Sequence, residues 1–244
     1  MQQKEWFSSW FDTKYYTLLY RNRNDDEAKE FVRQLMKYYK PKKNTEMLDM
    51  GCGRGRFARF LHEYEMKVTG MDISPQLIKK ATVASPSEIE FVAHDIRKPF
   101  GKLEYDFIFS FFTSFGYFDT DEEHLLTLQN VYEALKIHGI FLIDYLNADR
   151  ISLNVPQKSE VTIENINFSL HKYFKNGYFV KEIQVDDHGR IYNYVEKVRA
   201  FSLRDFKNLF SRLGLQITAC FGDYDLSSFD ILQSRRLIIA CVKR

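Results

Sequence analysis

The chain has 244 residues, of which 45% are hydrophobic and 28% are charged, and 35 lysines and arginines face 33 aspartates and glutamates. This length suits one large domain, or one domain with an inserted module, and the apolar content is enough for a full core. The nearly balanced charge argues against a dedicated nucleic-acid-binding protein.

Membrane and metal signals are also absent from the sequence. No run approaches the roughly 20 apolar residues of a membrane span, and the chain starts without an apolar leader. The three cysteines have no metal-binding spacing. We therefore expect a reduced, cytoplasmic protein that holds no metal and no membrane anchor.

The first predicted element is an aromatic helix over residues 10–23. Tyr16 and Tyr20 are four residues apart, so they share one helical face, and Arg23 follows about one turn later. The pattern fits a helix that packs its rings on a sheet, and it fits a lid over a ligand cleft equally well. The residues alone leave both interpretations open.

The most informative stretch is residues 47–57. An apolar run containing Asp49 leads into glycines at positions 51, 53 and 55, and apolar residues at helical spacing follow. This order predicts a strand, a tight turn and a helix N-terminus, which together bind the polar end of a nucleoside-containing ligand. A dinucleotide-binding turn would have its third glycine at position 56, where Arg56 stands, so a dehydrogenase is the least favoured interpretation.

Further strand patterns alternate with helical ones. The strand patterns lie at residues 68–72, 89–95 and 107–110, with a helical pattern at 75–83. The first two end in Asp72 and Asp95, and in a βαβ unit Asp72 would accept hydrogen bonds from the ribose hydroxyls of the ligand. The alternation predicts an α/β fold with a doubly wound, mainly parallel sheet and a ligand at the carboxyl ends of its strands.

An antiparallel insertion is predicted after the strand that ends at Asp144. Its strands are residues 161–174, 178–185 and 191–200, and Asn176-Gly177 between the first two is typical of a type I′ hairpin turn. We expect a three-stranded meander that roofs the ligand cleft, although a decorative sheet would leave the same pattern. A helix capped by Ser202 and strands at 215–220 and 236–242 then complete the main sheet, the last one antiparallel.

Together these motifs resemble a class I S-adenosylmethionine-dependent methyltransferase. The matching segments are residues 48–55, 71–74, 94–96 and 105–110, followed by the helix, Gly139 and strand that lead to Asp144. The resemblance covers about residues 10–150 and 200–244, and it departs at residues 135–139, where the family usually has a proline and a second glycine. It implies a seven-stranded sheet and four segments: an N-terminal helical lid at 1–45, a cofactor-binding core at 46–150, the inserted sheet at 151–200 and the completion of the core at 201–244.

The resemblance also assigns roles to single residues. It implies S-adenosylmethionine as cofactor, with Asp72 on the ribose, Asp95 toward the adenine amine and Arg23 near the methionine carboxylate. Catalytic candidates are Tyr117 and Tyr16, and substrate candidates are Phe115, Tyr117, His171, Tyr173 and Tyr192. The implied cofactor-binding residues are Tyr20, Arg23, Asp49, Gly51, Cys52, Gly53, Gly55, Asp72, Ile73, Asp95, Ile96 and Phe111.

The segment after the fourth strand, residues 111–118, bears on the methyl acceptor. It resembles the corresponding loop of amino-sugar N-methyltransferases, whereas it contains neither the Asn-Pro-Pro-Tyr type of motif nor the Pro-Cys pair of enzymes that methylate nucleobases. We expect methyl transfer to an amine or hydroxyl of a small molecule, by a monomer or by a homodimer formed through the inserted sheet. The alternatives are an RNA or protein methyltransferase and a non-catalytic module that binds S-adenosylmethionine.

Overall fold

A computed structural model describes residues 5–21 and 25–244 of the chain. Within these residues the helices are α1 Trp6–Trp10, α2 Lys14–Leu19, α3 Asp25–Tyr39, α4 Arg56–His62, α5 Pro75–Val83, α6 Asp121–Ala134, α7 Ala148–Ser152 and α8 Leu203–Leu213. The strands are β1 Glu46–Met50, β2 Lys67–Asp72, β3 Glu90–Ala93, β4 Tyr105–Ser110, β5 Leu135–Leu146, β6 Gln157–Ile163, β7 Ile166–Lys175, β8 Tyr178–Asp187, β9 Arg190–Arg199, β10 Leu215–Phe221 and β11 Arg236–Lys243.

Seven strands form the main sheet, in the order β10-β11-β5-β4-β1-β2-β3. β11 pairs antiparallel with both β5 and β10, whereas the pairs from β5 to β3 are parallel. The predicted fold class, a doubly wound and mainly parallel sheet, is therefore confirmed. Because β1 to β4 run in one direction, their carboxyl ends meet at one edge, where the fold places ligands.

Helices cover both faces of this sheet. On one face α3 and α4 bury an apolar stripe that includes Phe31, Leu35 and Leu61. On the other face α6 and α8 contribute Leu128, Val131, Phe206, Leu209 and Phe210 to a second core cluster. Ser202 caps α8 as predicted, because its side chain accepts the Asp205 N–H. No helix within the described residues is long and apolar enough to cross a bilayer.

The insertion is a four-stranded antiparallel sheet in the order β6-β7-β8-β9, so the predicted three-stranded meander is wrong. Residues 161–174 do not form one strand, because Glu164 and Asn165 adopt φ angles of 51° and 62° and turn the chain between β6 and β7. Positive φ at both central residues is the mark of a tight hairpin. The hairpin at Asn176-Gly177 was predicted correctly, with φ angles of 51° and 80°.

The N-terminal aromatic segment is two short helices rather than the single helix predicted over residues 10–23. Thr13 separates them, because its side chain accepts the Tyr16 N–H at 3.0 Å and starts α2, which ends at Leu19. Trp10 and Tyr15 pack against Phe168 and Val185 of the inserted sheet. The N-terminal segment is thus bound to the insertion, and Arg23 lies outside the described residues.

Candidate active site

The glycine turn follows β1, and all three of its glycines have left-handed backbone angles. The φ angles are 77° at Gly51, 57° at Gly53 and 72° at Gly55, which only glycine adopts without strain. At Gly51 space is a second constraint, because a Cβ atom there would lie 2.5 Å from the Cβ of Ser114. The Ser114 hydroxyl donates to the Gly51 carbonyl at 3.2 Å, so the turn is held against the loop that follows β4.

Asp72 ends β2 beside this turn. Its Oδ2 accepts the Gly53 N–H at 2.8 Å and its Oδ1 accepts the Ser74 N–H at 2.9 Å. The side chain is buried, and desolvation raises the pKa of its carboxyl group despite these two bonds. Each oxygen retains a lone pair, so the carboxylate can also accept ligand hydroxyl groups.

Asp95 follows β3 and is bound by Arg97. The Arg97 guanidinium and backbone N–H contact the carboxylate at 2.7 to 3.2 Å. Burial opposes ionisation of Asp95, but these donors outweigh it and lower the pKa of the carboxyl group. Arg97 also binds Glu5 at 2.6 Å and Glu123 at 2.7 Å, so one side chain links the Asp95 loop, the N-terminal segment and α6.

A cavity of about 320 Å³ opens at the carboxyl ends of β1 to β4. That volume is within the range of small-molecule and cofactor sites. The predicted residues that line it are Tyr16, Tyr20, Gly51, Cys52, Gly53, Asp72, Ile73, Asp95, Ile96, Phe111 and Tyr117. Asp49 and Gly55 are buried and do not line it.

Aromatic rings form one wall of this cavity. The Tyr117 ring lies 5.3 Å from Trp6, 5.6 Å from Phe11 and 6.4 Å from Phe7, measured between centroids. The ring of Tyr16 is 5.0 Å from that of Phe11. We call Trp6, Phe7, Phe11, Tyr16 and Tyr117 the aromatic wall; four of its members come from the N-terminal segment and one from the loop after β4. All but Trp6 line the cavity, and Trp6 supports the ring of Tyr117.

A polar network fixes the N-terminal segment to the inserted sheet. The Tyr20 hydroxyl lies 2.7 Å from both carboxylate oxygens of Glu196 and accepts from the Lys181 ammonium at 2.6 Å. The Trp10 indole N–H donates to the same carboxylate at 2.8 Å. The position of the aromatic wall therefore depends on β8 and β9 as well as on its own helices.

Asp49 lies beneath the glycine turn rather than in the cavity. It is 1% exposed, and neither carboxylate oxygen has a hydrogen-bond partner at standard distance and angle among the described residues. Burial and the neighbouring Asp72 carboxylate raise its pKa to about 7, against the lowering effects of the Ala58 backbone amide and Arg56. At neutral pH this carboxyl group is consequently near the midpoint of its titration.

The structure does not bring four of the substrate candidates to the cavity. Phe115 is fully buried and packs against His124 and Phe201 in the core. His171 and Tyr173 contact the side chain of Glu182 on β8. Glu182 precedes the buried Ile183 in this strand, so these side chains lie on the sheet face opposite to that of Ile183. Tyr192 packs on Tyr15, with 5.2 Å between ring centroids.

Several residues that line or support the cavity were not predicted from the sequence. Phe7 and Phe11 could have been found, because their four-residue spacing matches that of Trp6 and Trp10 and places aromatic rings on one helical face. Arg97 and Ser114 carry no motif of their own. Four arginines also line the cavity and were not predicted: Arg21, Arg54, Arg56 and Arg59.

Comparison with known proteins agrees with this geometry. The family model described as a methyltransferase domain matches residues 20–219. A Geobacillus sp. (strain WCH70) protein that carries a methyltransferase name is 29% identical over 143 residues, which are 57% of this chain and 56% of that protein. The chain thus spans just over half the length of this relative.

Two solved structures share the fold. A S-adenosylmethionine-dependent methyltransferase from Clostridium acetobutylicum ATCC 824 superposes with a TM-score of 0.78 at 14% identity, over 94% of this chain and 96% of that one. CalS10, an amino pentose methyltransferase from Micromonospora echinaspora, gives 0.70 at 16% identity, over 95% and 98%. The chain belongs to the methyltransferase domain family, and it shares its fold with S-adenosylmethionine-dependent enzymes.

Proposed function

We propose that this protein transfers the methyl group of S-adenosylmethionine to an amine or hydroxyl of a small molecule bound beside the aromatic wall. The observation that carries the proposal is a single cavity that joins two features. Its lining includes the glycine turn and the Asp72 carboxylate together with Phe7, Phe11, Tyr16 and Tyr117 of the aromatic wall. The first suits a nucleoside-containing cofactor and the second an enclosed acceptor.

The residues present fit the cofactor. Asp72 has lone pairs for the ribose hydroxyls, and Gly53, where a Cβ would meet nothing within 4 Å, leaves room for a ligand against the backbone. Ile73 and Ile96, each next in the chain to one of the two carboxylates, line the cavity and would flank the adenine, with Asp95 toward its amine. The methionine carboxylate would be met by the arginines near the turn, of which Arg54 and Arg56 flank Gly55 in the chain.

The chemistry requires alignment more than acid–base catalysis. When bound, S-adenosylmethionine supplies a methyl group on a sulfonium, which is already a good leaving group. Holding two reactants in line can account for roughly 7–11 kcal/mol of a barrier, and a neutral amine needs no strong base. Tyr117 and Tyr16 are the proposed residues at the acceptor, since their rings are fixed by neighbouring aromatic residues and their hydroxyls provide polar contacts.

The enclosed wall supports a small acceptor over RNA or protein. Residues 5–21 contribute Phe7, Phe11 and Tyr16 to the cavity lining, so the N-terminal segment encloses part of the cavity, which suits a small acceptor better than a polymer. The basic residues at the cavity are also partly neutralised: Arg21 pairs with Glu164, and Arg56 lies 3.8 Å from Asp25. CalS10, whose fold is shared, is an amino pentose methyltransferase, which supports an amine as the acceptor group.

Two measurements test the proposal. Calorimetric titration with S-adenosylmethionine should show one site per chain, and incubation with methyl-labelled cofactor and a panel of small amines and alcohols should label at least one. Tyr117→Ala should keep cofactor binding and lose most of the transfer. Absence of binding would overturn the cofactor site, labelling of RNA or protein alone would favour the polymer alternative, and binding without any labelled acceptor would favour a non-catalytic module.

A further inference from the structure

The loop that follows β4 contains two strained residues. Phe112 and Thr113 have φ angles of 54° and 61°, although neither is a glycine. A left-handed conformation costs roughly 1–2 kcal/mol for each such residue, so two in succession persist only where surrounding contacts hold them. Phe112 lines the cavity, and the same loop continues through Ser114 to Tyr117.

The contacts that hold this turn come from Asp144 at the end of β5. Its carboxylate Oδ2 accepts the Phe112 N–H at 2.8 Å, and its backbone carbonyl accepts the Thr113 N–H at 2.9 Å. Both amides of the strained pair therefore bind one residue. Asp144 is fully buried, so it has no access to solvent as an alternative partner.

Arg236 completes the arrangement from β11. Its Nε donates to Asp144 Oδ1 at 2.7 Å, and its Nη2 donates to the Thr113 hydroxyl at 2.8 Å. The same guanidinium lies 5.8 Å from the centre of the Phe112 ring, and the Arg56 guanidinium lies 5.9 Å from it. The Tyr224 hydroxyl also donates to Asp144 Oδ2, at 2.9 Å.

We infer that the Asp144–Arg236 pair is a positioning unit, which locks the Phe112–Thr113 turn and so sets the acceptor side of the cavity. The inference rests on the proposed function, because it assigns the loop from Phe112 to Tyr117 to the acceptor. Neither charged residue lines the cavity. They act through the turn: a planar guanidinium reaches two acceptors at once, which a lysine ammonium does not reproduce.

The Thr113 hydroxyl allows the sharpest test, since its removal leaves both charges in place. In Thr113→Val the bond to Arg236 is lost, and the loop should shift enough to lower kcat for the acceptor found by labelling about 10- to 100-fold. Thr113→Ser keeps the hydroxyl and should restore kcat, and Arg236→Lys should behave as Thr113→Val. Thr162→Val, at an exposed threonine of β6, is the matched control and should leave kcat unchanged.

A purely structural role would lower the melting temperature and the affinity for S-adenosylhomocysteine in step with kcat. We expect both to stay close to the parent values in Thr113→Val. A kcat within twofold of the parent, or a loss of kcat no larger than the loss of cofactor affinity, overturns the inference. Failure of the parent protein to bind S-adenosylmethionine overturns the proposed function instead, so the two failures are distinguishable.

A second readout needs no acceptor. Trp6 and Trp10 are the two tryptophans of the chain, and the Trp6 ring lies 5.3 Å from that of Tyr117. In a Trp10→Phe background the emission reports Trp6 alone. Thr113→Val should shift that emission and Thr113→Ser should not, whereas identical spectra for both variants contradict a link from the turn to the aromatic wall.

Discussion

The backbone N–H of Gly53 donates to the carboxylate of Asp72 at 2.8 Å, which joins the glycine turn after β1 to the end of β2. These residues come from adjacent parallel strands, and Asp72 binds Ser74 in the same way at 2.9 Å. A single buried carboxylate therefore shapes the turn and presents lone pairs to the cavity. In the proposed cofactor site, the carboxylate that would bind the ligand also holds the turn in place.

Asp72→Asn should weaken S-adenosylmethionine binding about 10- to 100-fold, since hydrogen bonds to a charged group contribute roughly 1.5–3 kcal/mol. The amide also has only one acceptor oxygen for two backbone N–H donors. Calorimetric titration measures the loss, with Glu88→Gln, at an exposed residue, as control. Unchanged affinity in a folded Asp72→Asn variant would remove Asp72 from the cofactor site.

Gly51→Ala and Gly189→Ala form a matched pair. Both glycines have positive φ, 77° and 83°, so both substitutions add backbone strain of roughly 1–2 kcal/mol. A Cβ at position 189 would meet nothing within 4 Å, whereas at position 51 it would lie 2.5 Å from Ser114. We expect only Gly51→Ala to push the glycine turn itself away from Ser114, and so to lower cofactor affinity at least about tenfold. Equal affinity in both variants would contradict this prediction.

The parts of the site that the sequence predicted are those with a local signal. The glycine turn, Asp72 and Asp95 each lie at or just after the carboxyl end of a strand, so their placement follows from a parallel sheet. The supports of the aromatic wall join distant residues, such as Tyr20 with Glu196 and Arg97 with Glu5, which no local spacing reveals.

The errors have the same origin. Glu164-Asn165 contains neither glycine nor proline, so the first hairpin of the insertion was read as one strand. His171 and Tyr173 alternate correctly for one sheet face, but which face meets the cavity depends on how the whole insertion packs. Only tertiary packing decides that choice.

Arg97→Gln should loosen the N-terminal segment. The side chain is 19% exposed and binds three carboxylates, those of Asp95, Glu5 and Glu123, which would be left without their shared cation. We expect a loss of about 1–3 kcal/mol in the free energy of unfolding, because charged hydrogen bonds are lost at a partly buried site. Denaturant titration measures this loss, and limited proteolysis with mass spectrometry should show faster cleavage near residues 5–21.

The control for this variant is Arg33→Gln. Arg33 pairs with Glu30 on α3, and both side chains are about half exposed, at 50% and 47%. Solvent screens such a surface pair, so the control should change stability little and cleavage not at all. If both variants are cleaved alike, the Arg97 network does not hold the segment.

Asp49→Asn should change how stability depends on pH. Burial and Asp72 raise the pKa of Asp49 to about 7 in the folded protein, against about 3.9 in an unfolded chain. Between these values the folded state binds more protons than the unfolded state, so the free energy of unfolding falls as pH rises, by up to about 1.4 kcal/mol per pH unit. Asparagine does not titrate and lacks this slope.

The variant should therefore gain stability relative to the parent as pH rises, by roughly 2–3 kcal/mol between pH 5 and pH 8, because the parent alone loses the contribution of a protonated Asp49. Denaturant titration of both proteins at each pH measures the difference, in which the effects of titrating groups that do not interact with Asp49 cancel; the Asp72 carboxylate is coupled to Asp49 and contributes to it. Glu88→Gln, at an exposed site, should run parallel to the parent. If the stability of Asp49→Asn instead follows pH in parallel with the parent, the Asp49 carboxyl is already ionised at pH 5. The folded protein would then stabilise a charge for which the described residues provide no standard hydrogen bond.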